Sequence, residues 1–254
     1  MLVERVISVI TPVLGTKADY IGDAYATLVS QELPDGWRWE WLIQQDGPEG
    51  AVPLPPDDPR ISFRVSHRWG RQALARNIAL SRANGDLIKV LDADDMLVPG
   101  ALTRDIDVFM SRPEITWTLA RSLNYMPDGT TTRFPSNPSP GQIKHDVIFP
   151  YWEQHHEPPV HPASLCVRRQ ALLALGGWMA VPGSEDTGLL LALDATSTGY
   201  FIDEPGLLHR RWPGQTTASR RLDDDERKAV LNLIGARARV LRAQQRSAGV
   251  EDYQ

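Results

Sequence analysis

Two hydrophobic periods alternate along the first hundred residues. Arg5 to Thr11 is an apolar, β-branched run stopped by Pro12, the pattern of a central strand with residues 12–16 as its exit loop. From Asp19 to Gln31 the spacing becomes helical, through Ile21, Tyr25, Leu28 and Val29. Trp39 to Gln45 predicts a second strand ending in the turn signal Asp46-Gly47, and residues 48–59 hold five prolines and read as a loop. Ile61 to Val65 gives a third strand, Gly70 to Asn84 a helix with Gly85 at its C-cap, and Asp86 to Leu91 a fourth strand. This succession predicts an α/β fold, a mostly parallel sheet flanked by helices, whose ligands gather at the carboxyl ends of the strands.

Beyond residue 98 the pattern is less regular. Pro99 to Ser111 predicts an amphipathic helix, Ile115 to Leu119 a strand, and Asn124 to Phe134 a hairpin around Pro127-Asp128-Gly129. A loop with three prolines follows at 135–141, placed near the site. Tyr151 to Glu157 packs aromatics, two histidines and acids together, either as a binding platform or as a packed surface segment. Adjacent His155 and His156 lack the spacing of a metal pair. Val160 to Arg169 is extended, Gln170 to Leu175 a short helix broken by Gly176-Gly177, and Ser184 an N-cap for a helix over Thr187 to Leu193. Leu222 to Arg246 predicts a long charged helix with an apolar stripe, ahead of a frayed tail over 247–254. The division is then one domain over 1–221, with halves 1–98 and 99–221, and a helix and tail over 222–254. That last helix would brace the domain or pair with a second copy in a homodimer.

Composition narrows the partners. The 254 residues, 42% hydrophobic, suffice for the core of one large domain. A net charge of −5 and a pI near 5.7 give no general attraction to nucleic acid, so any phosphate must be held locally by a metal or a few arginines. Cys166 is the only cysteine, which excludes an intramolecular disulfide and a cysteine-rich zinc site and suits a reducing cytoplasm. The charged first ten residues read as a strand, not a secretory leader, and no stretch approaches the roughly 18 apolar residues of a membrane span. Arg237, Arg239, Arg242 and Arg246 offer the last helix a basic face for solvent or for lipid headgroups, so the expected location is the cytoplasm, free or peripheral at the inner membrane face.

The chemistry concentrates where the fourth strand ends, in Leu91-Asp92-Ala93-Asp94-Asp95. Residues i and i+2 project from one side of a strand, so Asp92 and Asp94 can converge on one ligand while Ala93 leaves room. Hard oxygen donors at that spacing suit Mg2+ or Mn2+ carrying a phosphate. Capping the helix after Pro99 needs one carboxylate oxygen, not three acids.

Six motifs in order carry a resemblance: Ser8-Val9-Ile10-Thr11-Pro12, Gln45-Asp46-Gly47, Ala75-Arg76-Asn77 with Ala83-Asn84-Gly85, Leu91 to Asp95, Gly176-Gly177-Trp178, and Glu185-Asp186. From near residue 5 to near residue 217 the chain resembles the family 2 glycosyltransferases of GT-A fold. The resemblance implies a nucleotide-diphospho-sugar over the first half, with Thr11 and Pro12 bordering the nucleoside, Asp46 meeting the base, Arg76 near the nucleotide and Asp92 on the ribose or a metal-bound water. It implies Asp94 as ligand of Mn2+ or Mg2+ and Asp186 as the base that takes the acceptor's proton. The alternatives are a plain turn for Asp46, a solvated helix face for Arg76 and a helix-dipole role for the acids at 185 and 186.

The segment Leu207 to Thr217 resembles the family stretch that closes over the diphosphate. His209 stands where an aromatic is expected and Trp212 where a histidine is expected, so a histidine metal ligand is in doubt. Arg210 reads as a phosphate contact or a surface ion pair, and His209 as a metal ligand or a packed histidine. One base and no nucleophile implies displacement with inversion, from a UDP-sugar or similar donor to a hydroxyl of a glycan, lipid-linked or small-molecule acceptor. Two other functions fit the same pattern. A sugar-phosphate nucleotidyltransferase would want a glycine-rich basic loop after the first strand, for which Leu14-Gly15-Thr16-Lys17 is a poor substitute, and a binding protein would hold the donor without turnover.

Overall fold

The apolar run that opens the chain lies inside a sheet that has ten strands among the described residues. Its strands are β1 (Arg5–Gly15), β2 (Trp37–Gly50), β3 (Ile61–Val65), β4 (Leu87–Val90), β5 (Met96–Leu97), β6 (Trp117–Tyr125), β7 (Thr131–Arg133), β8 (Gly141–Ile143), β9 (Cys166–Arg168) and β10 (Gly199–Arg210). Among the described residues the α-helices are α1 (Ile21–Val29), α2 (Arg71–Leu80), α3 (Ala101–Ser111), α4 (Ile148–His155), α5 (Arg169–Ala174), α6 (Glu185–Thr196) and α7 (Asp224–Glu251). The computed structural model describes residues 4–54, 57–134, 137–144, 147–213, 215 and 222–251. Expectations for Gly214, Thr216 and Thr217, for part of the loops at 55–56 and 135–136, and for the tail at 252–254 lie outside them.

The strand order is β3-β2-β1-β4-β9-β6-β10-β5, with β7 on β6 and β8 on β10. The first four strands are mutually parallel, β9 runs against both β4 and β6, and β10 is parallel to β6. The sheet is thus mostly parallel where the donor was expected and mixed beyond it. Alternate residues of β1 feed two cores, Ile7, Val9 and Val13 toward Ile21, Leu28, Leu102 and Ile106 of α1 and α3, and Ile10 toward Ala79, Leu189 and Ile234 of α2, α6 and α7. A central strand covered on both faces needs such a near-continuous apolar sequence.

Several local expectations change. β1 does not stop at Pro12 but stays paired with β2, Pro12 opposite Gln44. Its pairing with β4 ends at Ile10, so at Pro12 one flank of the strand has no ladder to interrupt. Gly85 does not cap α2, which ends at Leu80. A Cβ there would stand 2.6 Å from Ser8 Oγ and 2.7 Å from Ser8 N, so glycine is required for close approach to β1. Ser8 and Asn84 are joined through the buried Glu40 carboxylate, whose Oε1 accepts from Ser8 Oγ at 2.6 Å and from the Asn84 amide at 2.7 Å. Burial pushes Glu40 up, but these bonds outweigh it and hold the carboxylate below its ordinary range.

Lys89, inside the apolar fourth strand, is fully buried. Its Nζ lies 2.7 Å from Asp105 on α3 and 2.7 Å from the Ser164 carbonyl, an ion pair that ties the strand bearing the acidic tip to its covering helix. The predicted helix at 187–193 is longer, Glu185–Thr196, and Ser184 precedes it in a left-handed conformation without capping it through its side chain. Tyr151 to His155 belongs to α4, whose first turn is capped by the buried Asp194 carboxylate, and Trp152 is buried beneath it. The C-terminal helix begins at Asp224 and continues to Glu251, without a break at 247. Val230, Ile234 and Ala238 bury it against α6, so it extends the same core. Among the described residues no helix is long and apolar enough to cross a membrane.

Candidate active site

The carboxyl ends of β1, β2 and β4 open into a cleft of about 370 Å3, closed on its far side by the loop entering α6 and by the segment after β10. Pro12, Asp46, Arg76, Asp92, Asp94, Asp186 and His209 all line it, although they span almost two hundred residues of sequence. Thr11 does not line it. Its buried hydroxyl donates to the Leu91 carbonyl at 2.6 Å and accepts from Trp41 Nε1 at 2.8 Å, fixing β1 to the root of the acidic tip.

Asp46 caps a helix. Its two oxygens accept the main-chain N–H groups of Gly70 at 2.7 Å and Arg71 at 3.0 Å, so a side chain at the end of β2 sets the start of α2. Five residues into that helix, Arg76 is buried, not solvated. Its Nη2 lies 2.7 Å from Asp92 and its Nη1 2.5 Å from Glu185, so one guanidinium joins the acidic tip after β4 to the first residue of α6. Burial pushes Asp92 up, but the adjacent guanidinium prevails and holds it below the ordinary carboxylate range. Glu185 goes the other way, raised by burial and by neighbouring Asp186 despite Arg76. Asn77 fixes the next turn: its amide bonds both N and O of Trp178, at 2.9 and 2.8 Å. This explains why Ala75-Arg76-Asn77 and Gly177-Trp178 occur together, since a Cβ on Gly177 would meet Asn77 Oδ1 at 2.2 Å.

Asp94 faces the cleft with its Oδ2 accepting from Trp212 Nε1 at 2.8 Å. Burial raises its pKa, the indole lowers it in part, and Asp92 raises it further. Asp95 is wholly buried and pushed up to about 6 by that burial, while His209 Nδ1, at 3.1 Å, acts against the rise. His209 stacks on His161 with ring centroids 4.1 Å apart, and its Nε2 stands 3.3 Å from Arg211 Nη1. Both ring nitrogens therefore have partners other than Asp94. Arg210 does not line the cleft. Its guanidinium lies over Tyr20 at 4.1 Å, bonds the Asp94 carbonyl at 3.0 Å and pairs with Asp23 at 2.6 Å. The end of β10 and the residues after it are thus strapped onto the acidic tip by His209, Arg210 and Trp212, with Trp212 packed edge-on to Tyr20.

Asp186 stands on the opposite lip, with one oxygen on the amide of Thr187 at 2.6 Å. Among the described residues no three His, Cys, Asp or Glu side chains are grouped to hold a metal unaided. Arg71 and Gln72 also line the cleft and carried no signal in the sequence, while Gln215, also in the lining, lies in the stretch from Leu207 to Thr217 that the resemblance marks. The aromatic patch at 151–157 is not part of its lining.

The model of glycosyl transferase family 2 matches residues 8–159, more than half of the chain. The chain belongs to this family. The match to family 2 ends within the second half, before Glu185, Asp186 and the strap. Over 224 residues, 84% of this chain, it is 28% identical to the O-antigen biosynthesis protein RfbC of Myxococcus xanthus, of which it spans 16%. Over 114 residues, 43% of this chain, it is 30% identical to the putative teichuronic acid biosynthesis glycosyltransferase TuaG of Bacillus subtilis, of which it spans 44%. The family 2 chain thus spans less than half the length of either relative. Among solved structures it is similar to S. aureus TarS 1–349 in complex with UDP-GlcNAc, with a TM-score of 0.65 and 15% identity over 94% of this chain and 70% of that one. The UDP complex of the same protein matches with a TM-score of 0.60 over 82% and 61%. The shared fold is the GT-A fold expected from the sequence.

Proposed function

We propose that the protein is a metal-dependent, inverting glycosyltransferase that moves a sugar from a UDP-sugar or related nucleotide donor to a hydroxyl of a glycan, lipid-linked or small acceptor. The observation that carries this reading is the single cleft in which Asp92 and Asp94 face Asp186 across the space a donor would fill. UDP and UDP-GlcNAc complexes of a protein with the same fold support the donor class, and relatives named for O-antigen and teichuronic acid biosynthesis support a surface-glycan acceptor.

In this scheme Asp46, already holding the start of α2, lies at the base end of the cleft. Asp94 fits Mn2+ or Mg2+ as a hard oxygen donor whose burial favours a neighbouring cation, provided the diphosphate and water supply the other ligands. Such an ion would offset the charge that develops on the departing diphosphate. Asp186 takes the proton of the attacking hydroxyl on the other face of the sugar. Glu185, its neighbour, is bound to Arg76, which leaves Asp186 as the carboxylate on that lip for proton transfer and therefore direct displacement with inversion. Calorimetry tests the assignment: UDP should bind with Mn2+ present, and Asp94→Ala should weaken that binding about tenfold or more, as expected for loss of a ligand to a shared ion. Binding indifferent to both metal and substitution would remove the metal from the scheme.

A further inference from the structure

Only three non-glycine residues among those described have positive φ: Arg71 at 63°, His156 at 55° and Ser184 at 58°. Two of the three stand on opposite lips of the cleft. Arg71 opens α2 and Ser184 immediately precedes α6. The left-handed region is costly for a side chain, and Arg has no local hydrogen bond to offset it in the way Asn does. Such strain persists where the surroundings fix the residue, and here Asp46 Oδ2 holds the Arg71 N–H at 3.0 Å.

The Arg71 side chain crosses the cleft. Its Nη1 donates to the Pro182 carbonyl at 2.6 Å, 111 residues away in the chain. Pro182 lies two residues before Ser184, and four before Asp186. The start of α6 has no side-chain cap from Ser184, and two arginines of α2 tie it across the cleft: buried Arg76 on Glu185 and exposed Arg71 on Pro182. Removal of Arg76 would unbalance a buried cluster, whereas Arg71 is bonded to a neutral carbonyl at the rim and can be removed without leaving a buried charge.

We propose that Arg71 is a positioning residue for the transfer step. It does not touch the reacting atoms; by spanning the cleft it fixes the height of the lip that carries Asp186 over the donor. This rests on the proposed role of Asp186. A small displacement of a base is enough to cost one to two orders of magnitude in rate, which is why a single rim hydrogen bond can matter to turnover and little to folding.

The test is Arg71→Gly, which removes the side chain and restores the residue that this backbone prefers, with Arg71→Lys as the variant that can still reach the carbonyl. Thermal unfolding, UDP calorimetry and the rate of UDP-GlcNAc hydrolysis are measured on all three proteins. Arg71→Gly should keep or raise the midpoint of unfolding and bind UDP within about twofold of wild type, while hydrolysis falls about tenfold or more and Arg71→Lys recovers part of it. Unchanged hydrolysis in Arg71→Gly, or a loss of hydrolysis matched by a lowered midpoint, would overturn the positioning role alone. Failure of the wild type to bind UDP would overturn the donor reading beneath it.

Discussion

Arg76→Met is the most informative perturbation of the site's architecture. The guanidinium is 3% exposed and lies between two carboxylates, Glu185 at 8% and Asp92 at 31% exposure. Removing one partner of a buried ion pair costs roughly 3–5 kcal/mol, because the charges left behind are uncompensated. Partial exposure of Asp92 places the expected loss near the lower end, about 3 kcal/mol at pH 7.5. A domain stable by about 5–15 kcal/mol remains folded after such a loss, so the value is measurable by urea unfolding. The sign of the pH dependence follows from the same geometry. Without Arg76, Asp92 and Glu185 would titrate above their unfolded values near 4, so the variant's penalty is absent below that pH and grows as pH rises through the raised folded values. The loss at pH 4.5 should therefore be clearly smaller than at pH 7.5, and Arg76→Met with Glu185→Gln should recover part of it. A loss below about 1 kcal/mol at pH 7.5, or one equal at both pH values, would refute the placement of Arg76 as the link between Asp92 and α6.

Two further outcomes follow from buried contacts near the site. Burial and the adjoining His209 push His161 down to about 3, so the folded protein resists its protonation. A depressed histidine contributes stability above its unfolded value near 6.5 that is lost as pH falls toward 3, and His161→Phe should flatten the pH dependence of unfolding in that window. Gly85→Ala should cost about 2–3 kcal/mol in denaturant unfolding, since the new Cβ meets backbone atoms of Ser8 and Val6 below 3 Å; a loss under 0.5 kcal/mol would contradict the close approach of α2's exit to β1.

Much of the first half, residues 1–98, was legible because its signals are local. The mostly apolar run in Arg5–Thr11, the alternation in Ile61–Val65, helical spacing around Leu28, and the abrupt acids at Asp92 and Asp94 each follow from neighbours in the chain. β10 was not anticipated because Asp203-Glu204-Pro205 interrupts its pattern, and the structure absorbs the interruption in register shifts against β6 at Ile202, Pro205 and Leu207. The short β5 and β8, of two and three residues, are fixed by pairing with β10 and have no periodicity of their own. The site's internal wiring was the least visible. Arg76 finds Glu185 at a separation of 109 residues, Trp212 finds Asp94 at 118, and Arg71 finds Pro182 at 111. No composition or spacing announces such pairs, because they are consequences of where the sheet delivers its strand ends. Arg210 illustrates the limit, since its residue type suits a phosphate while its surroundings commit it to Asp23, Tyr20 and the Asp94 carbonyl.

The measurement that bears most directly on the cleft as a catalytic site is a pair of readings on Asp186→Asn: UDP affinity by calorimetry and UDP-GlcNAc hydrolysis under the same conditions. A base that acts on the acceptor side predicts unchanged UDP affinity and hydrolysis reduced by roughly 100-fold or more. Hydrolysis equal to that of wild type, with UDP still bound, would contradict Asp186 as the base.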